Sequence, residues 1–332
     1  IATACLIIAT TFSHRGTSLP SATWASLGKK SKLITAFSLA SVIVVVGVMH
    51  QLLLAERPLM NKTAQHEWRA EYETQYGQWQ NKAQPQITHM HVLGDLYPEE
   101  GNAYFTLELT LTNETSEPIE QVLVGGIHGF EFDALVMPEA ESVEKNLELN
   151  QHLFTLKQPL QPQQSVLLNA SISYQQPKLW PAALHQIVTS GFTYFRSNPV
   201  MPNIGFNPDF RLRDNTRRLE MGLPALPDIK PTTHISNEQL ASHPYSSAAQ
   251  GQYKRMQVHS IITTTARHEV VAPGKLLSST VKGNRATYEF KTGQPIRDIA
   301  AWFSLPYSSM TDYADNTELH VYAPELSTAR YK

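Results

Sequence analysis

Residues 33–54 read LITAFSLASVIVVVGVMHQLLL, 22 positions without a formal charge. At ~1.5 Å per residue a helix of that length reaches ~33 Å, enough for a hydrocarbon core of ~30 Å. So long an apolar run seldom hides inside a soluble domain, and the 32 residues before it argue against a cleaved signal peptide. A transmembrane helix is expected over 33–54, which makes the lipid bilayer the first partner. The chain opens on Ile, inside another apolar stretch, 1–12, too short to span alone. That stretch is expected to be the tail of a preceding membrane helix, in a fragment or processed product. Residues 13–32 form a basic loop holding Arg15, Lys29, Lys30 and Lys32 with no acidic residue. The positive-inside rule puts this loop in the cytoplasm and sends everything after Leu54 to the extracytoplasmic side of the cell (inner) membrane.

Beyond the span, residues 55–85 are expected to form a juxtamembrane helix, free of proline from Asn61 to Ala83 and ended by Pro85. Trp68, Tyr72, Tyr76 and Trp79 are spaced to share one helical face. Two readings stand: an aromatic belt at the headgroups, or a stripe that docks the helix on the domain it introduces.

From Gln86 the pattern changes to period two. Phe105, Leu107, Leu109 and Leu111 alternate with Thr106, Glu108, Thr110 and Thr112, which marks a half-buried strand. A turn follows at Asn113–Pro118, then a strand at Ile119–Val124, and after a bend at Pro159–Gln164 the alternation of Leu168, Ala170, Ile172 and Tyr174. Strand signals return at Tyr253–Thr265, Ala286–Lys291 and Leu319–Ala323. These intervals predict a mainly β fold over 86–332, an antiparallel sandwich or saddle-like sheet, not alternating βαβ units. A Pro-rich segment over 177–250 reads as irregular, with one charged stretch, Asp209–Arg218, able to form a short helix. The 247 residues from Gln86 to Lys332 suffice for a core without staples.

Composition narrows function. With 27 Lys+Arg against 29 Asp+Glu and a net charge of −2, nothing favours nucleic acid as a partner. A single cysteine, Cys5, supplies neither an intrachain disulfide nor a Cys-rich zinc site. A zinc peptidase helix needs His-Glu-x-x-His, so that two imidazoles one turn apart share a metal. His66-Glu67-Trp68-Arg69-Ala70 and His268-Glu269-Val270-Val271-Ala272 both place Ala where the second ligand belongs. His89 and His91, two apart on a strand, share a face and could chelate a metal only with a third ligand from elsewhere. The chain has no phosphate-binding loop and no nucleophile elbow. Asn61, Asn113 and Asn169 head formal glycan triplets that carry no assignment. No catalytic, cofactor-binding or metal-binding residue is therefore expected in this chain, and no cofactor of its own.

Four blocks, in order, resemble a bacterial family that joins an ABC-type export permease to a gluzincin zinc peptidase of the membrane alanyl aminopeptidase family. The first is the span followed by His66–Gln80 (HEWRAEYETQYGQWQ) and Pro85–Glu100 (PQITHMHVLGDLYPEE). It is similar to the passage from the last membrane helix into the peptidase's N-terminal β-domain. Phe105–Val124 resembles that domain's opening hairpin. Met201–Pro208 (MPNIGFNP) with Arg211–Pro224 (RLRDNTRRLEMGLP) is similar to its Pro-x-x-Gly-Tyr and Gly-Leu-Pro segments. Ile262–Leu276, Ala301–Tyr307 and Leu319–Pro324 resemble its closing strands. Across nearly the whole chain, their shared order carries the resemblance.

The resemblance implies hydrolysis of an N-terminal peptide bond by a zinc-bound water assisted by a Glu, with peptides as substrates and zinc as the parent protein's metal. The zinc helix, its downstream Glu and the Gly-x-Met-Glu-Asn strand would lie beyond Lys332. Some relatives hold the substrate amine with a Gln or Glu before a Phe-Pro-Cys segment; Thr193–Asn198 here offers no match. A separate ATPase subunit would serve the permease. The expectation is a membrane anchor plus a non-catalytic β-domain of a permease-linked aminopeptidase-like protein, inactive alone. The alternative is a non-enzymatic, extracytoplasmic peptide- or partner-binding module of an export permease, with a gating subunit as a third reading. Arg330–Lys332 follow a strand signal without a capping element, which is expected of a truncated chain.

Overall fold

The computed structural model describes residues 28–56, 62–126, 131–177, 186–227, 255–297, 299–315 and 317–323. The expected helix tail at 1–12, Cys5, the loop up to residue 27, Asn61 and Arg330–Lys332 lie outside the described residues. The chain divides into two compact units, one containing the first helix and the other the β-structure.

In the first unit, α1 spans Lys29–Glu56. It starts before the uncharged run because Lys29, Lys30 and Lys32 are good helix formers and no breaker intervenes after Gly28. The Lys32 amide donates to the Gly28 carbonyl at 3.0 Å, closing the first turn. The helix is long and apolar enough to cross a membrane. Leu33, Phe37, Ile43 and Val44 lie exposed along it, a surface that suits lipid better than water.

The second unit begins with α2 (Lys62–Tyr76) and a 3₁₀ turn at Gly77–Asn81. The strands that follow are β1 (Gln86–Tyr97), β2 (Asn102–Thr112), β3 (Ile119–Gly125), β4 (Ala134–Val136), β5 (Ala140–Asn146), β6 (Gln151–Leu160), β7 (Ser165–Gln175), β8 (Gln186–Thr189), β9 (Phe192–Arg196) and β10 (Asn203–Ile204). Two short helices, α3 (Ser197–Val200) and α4 (Asn215–Glu220), flank β10. Then come β11 (Arg255–Thr265), β12 (Glu269–Val271), β13 (Lys275–Lys282), β14 (Arg285–Lys291), β15 (Ile296–Arg297), β16 (Ala301–Leu305), β17 (Ser308–Ala314) and β18 (Thr317–Ala323).

The largest sheet runs β13-β14-β11-β1-β2-β7-β4, with β15 paired to β11. Two four-stranded sheets, β10-β3-β6-β5 and β12-β16-β9-β8, and the hairpin β17-β18 complete the described strands. The period-two pattern of β2 decides which face is inside. Ala103, Phe105, Leu107, Leu109 and Leu111 are buried, while Tyr104, Thr106 and Glu108 face out. A register slip of one residue would exchange the two sets. The same core takes Val92 and Met90 from β1, Leu168 and Ile172 from β7, and Val258 and Ile262 from β11. Val122 and Phe154 of the second sheet and Phe195 and Trp302 of the third join it. Phe105 is the junction, with ring centroids 4.8 Å from Phe195 and 6.3 Å from Trp302.

The mainly β, sheet-on-sheet fold is as the sequence predicts, with two differences. One pair, β1 with β11, is parallel, from His89 opposite Gln257 to Asp95 opposite Thr263. The tight turn after Tyr97 gives one edge of β1 to β2, so β11 enters on the other edge, in β1's direction. The described part of the Pro-rich segment 177–250 is also less irregular than expected, since it contributes β8, β9, β10, α3 and α4. Those strands are too short to establish a period. Edge strand β13 gives no signal either, because all eight of its residues are exposed. Gly274, just before it, has φ +99°, and a Cβ there would meet the Lys291 carbonyl carbon at 2.3 Å, so only glycine makes this turn without strain.

Phe105→Ala should cost ~3–5 kcal/mol through the cavity it leaves, while Thr106→Ala on the outer face should change stability by less than ~0.5 kcal/mol. Urea unfolding of the two variants measures both; equal losses would contradict the assigned register.

Candidate functional site

The aromatic stripe of α2 is a docking stripe. Tyr72 is fully buried, its ring stacked on Phe206 at 5.3 Å and edge-on to Phe210 at 5.3 Å. Its hydroxyl accepts the Asn207 amide at 2.8 Å. Trp68 stacks on Tyr72 at 5.7 Å and donates its indole N–H to the Glu148 carbonyl. Rings held in this way are unavailable to a headgroup region, so the belt reading fails for Tyr72 and for Trp79, also buried.

Beside Tyr72, Glu73 points into the same contact. Arg218 of α4, with no exposed surface, donates from Nη1 to Glu73 Oε2 at 2.6 Å and from Nη2 to Oε1 at 2.9 Å. Nη1 and Nε also donate to the carbonyls of Leu212 and Pro224, both at 2.7 Å. Arg211 adds bonds from Nε and Nη2 to Glu73 Oε1 at 3.2 and 3.0 Å. Burial pushes the Glu73 carboxyl up, but the hydrogen bonds and charges of Arg218 and Arg211 together outweigh it and leave it below the usual carboxylate range. Sequence reasoning found the charged stretch but placed its helix early, at Asp209–Arg218. The helix starts at Asn215 because the Asp214 carboxylate accepts the Arg217 amide and caps it there.

The histidine candidates separate. His268 is buried, with Nε2 3.0 Å from the Ser190 carbonyl and Nδ1 2.9 Å from Ser304 Oγ. The carbonyl can only accept, so Nε2 carries the proton and Nδ1 accepts from the Ser304 hydroxyl. Thr264 lies 2.8 Å behind Ser304 and completes a satisfied polar chain inside the core. Burial lowers the His268 pKa. This is a structural, neutral histidine.

His89 and His91 do share the outer face of the large sheet. The parallel pairing sets His259 directly opposite His91, rings stacked at 4.7 Å, and His259 Nε2 lies 2.9 Å from Glu289 Oε1. A His-His-Glu row across three strands was invisible in sequence, because it depends on the parallel register. Among the described residues, however, no group of three or more His, Cys, Asp and Glu is placed to hold a metal. Asn113, first of a formal glycan triplet, is fully buried and donates to the carbonyls of Glu117 and Leu160. It builds the turn after β2.

Where α2 meets the segment after β10, a cleft of about 480 Å³ opens, lined by His66, Arg69, Asp209, Arg211, Arg213 and Asp214 among others. Arg69 Nη1 donates to the carbonyls of Asp209 at 2.6 Å and Arg211 at 3.1 Å, which fixes its guanidinium in the wall. Asp209 pairs with Arg213 at 2.5 Å. No signal in the sequence singled out this cleft, because its cations come from two segments far apart in the chain.

The chain matches no family model and no curated protein sequence. It is similar to solved structures of M1 zinc metallopeptidases. One is the enzyme from Deinococcus radiodurans, at a TM-score of 0.42 and 13% identity, over 75% of this chain and 52% of that one. A mutant of that enzyme bound to a Tyr-Ser-Ala substrate gives 0.41 and 13%, over 74% and 52%. A two-domain M1 zinc metallopeptidase mutant bound to L-tryptophan gives 0.44 and 15%, over 75% and 52%. The chain thus spans about half the length of the solved structures it matches.

The buried neutral His268 predicts acid sensitivity with a definite sign. Its folded pKa is depressed, so below the ordinary value of ~6.5 the unfolded chain takes up the proton first. Its contribution is whole above ~6.5 and is lost as pH falls from there through the folded pKa. Urea midpoints measured from pH 7.5 to 5 should fall, and His268→Gln should flatten that fall. An unchanged slope in the variant would count against this assignment.

Proposed function

We propose that this chain is the membrane anchor and non-catalytic β-domain of a permease-linked, zinc aminopeptidase-like protein, with the β-domain on the extracytoplasmic side. One observation carries the reading. The first and third blocks of family resemblance, far apart in the chain, are each other's buried partners: Tyr72 against Phe206, and Glu73 against Arg218 and Arg211. Blocks chosen only for their likeness to one family thus meet in one contact. The apolar length of α1 supports the anchor, and a separate ATPase subunit belongs to the same proposal.

Zinc, bound in the parent, would supply a hydrolytic water. Among the described residues no His, Cys, Asp or Glu group is placed to hold that ion. In this reading the chain's part is to hold α2 rigidly on the sheets and to present the β-domain to a peptidase domain that supplies the metal ligands.

Two results test this. The full chain, purified in detergent, should contain no stoichiometric zinc and should not cleave aminoacyl-anilides. The gene, read past codon 332, should continue into His-Glu-x-x-His with a downstream Glu. Turnover by the chain itself would overturn the non-catalytic assignment, and an immediate stop codon would leave a tethered binding module in place of the enzyme reading.

A further inference from the structure

The cleft between α2 and the segment after β10 has an imbalance that packing does not explain. Each carboxylate around it is already engaged. Glu73 is divided between Arg218 and Arg211, Asp209 takes Arg213, and Asp214 caps α4. Arg69 has only backbone carbonyls, both on Nη1, so among the described residues the Nε and Nη2 donors of its planar fork have no acceptor. His66 lies three residues before Arg69, on the same face of α2. Among the described residues its ring has no hydrogen-bond partner either. Burial and the neighbouring Arg213 both act against the Arg69 cation, more than Asp209 restores. A guanidinium pinned by one nitrogen, with its other edge open, is arranged to receive a planar or tetrahedral oxyanion through two parallel N–H···O bonds.

We propose that this cleft is a binding site for a small oxyanion group, a phosphate or a carboxylate, held by the open edge of Arg69 with His66 beside it and Arg213 at the rim. The volume of about 480 Å³ admits such a group with a small organic remainder. Arg211 does not compete for the anion, because Glu73 holds both of its inward donors. The site is independent of the aminopeptidase reading: it stands on the same docked helix but needs no metal and no catalytic domain.

Titration of the full chain in detergent with inorganic phosphate, followed by calorimetry at low ionic strength, tests it. The wild type should bind saturably. Arg69→Gln should weaken binding at least tenfold. So should the pair His66→Ala and Arg213→Ala, which removes no buried hydrogen bond and keeps the test valid if Arg69→Gln fails to fold. Lys275→Ala on the edge strand should bind as wild type does. Phosphatidylcholine vesicles, with and without phosphatidylglycerol, then separate the sources. Displacement of phosphate only by the anionic vesicles assigns the site to a lipid headgroup, and displacement only by a soluble phosphomonoester assigns it to a metabolite. Absence of saturable phosphate binding, or unchanged binding in the His66/Arg213 double variant, would overturn the proposal.

Discussion

Arg218 has no exposed surface, and a guanidinium cannot shed its proton to escape burial. Its place in the fold therefore depends on acceptors, and the two that carry charge are the oxygens of Glu73. Glu73 sits on α2 and Arg218 on α4, so this one fork-to-fork pair joins the helix that opens the second unit to a segment 145 residues further along the chain. Leaving either partner buried and alone would cost far more than the net worth of the pair, so the interaction acts as a specificity device for the position of α2. The apolar part of the contact, Tyr72 among Phe206, Phe210 and Trp68, supplies area. The ion pair supplies a single acceptable register.

The cleft follows from that register. With Glu73 turned inward to Arg218, Arg69, one turn earlier, faces the carbonyls of Asp209 and Arg211. Arg211 is drawn inward with Glu73, and Arg213 is left to pair with Asp209 at the surface. The same residues that lock the helix thus decide which cations have acceptors and which do not. On the outer face of the large sheet, the parallel register of β1 and β11 has a comparable effect, setting His259 against His91 and within reach of Glu289.

Much of the fold was legible in the sequence because two patterns are strong. The uncharged run at 33–54 gave a helix long and apolar enough to cross a membrane, and the alternation at 105–111 and 168–174 gave the central strands and their inner faces. What was not legible has physical causes. β13 is exposed along its whole length, so no alternation is imposed on it. The strands at 186–196 are too short to show a period. The parallel neighbour of β1 depends on where a distant strand re-enters the sheet. The site residues were hardest: Glu73, Arg69, Arg211 and Arg218 read as surface charges until the chain brings them together, and a charged helix face looks the same in sequence whether it meets water or a buried partner. The proposals of a permease and of zinc chemistry rest on resemblance, not on any described side chain.

A double-mutant cycle on Glu73→Gln and Arg218→Met, read by urea unfolding of the full chain in detergent, tests most directly that this pair fixes α2. Each single change should cost ~3–5 kcal/mol, because it strands a buried partner. The double variant should cost less than the sum by ~2 kcal/mol or more, because neither member of the pair is left as a buried charge without its counter-ion. Additive losses within ~0.5 kcal/mol would mean that the two side chains do not depend on each other, and the account of the docked helix and its cleft would fail.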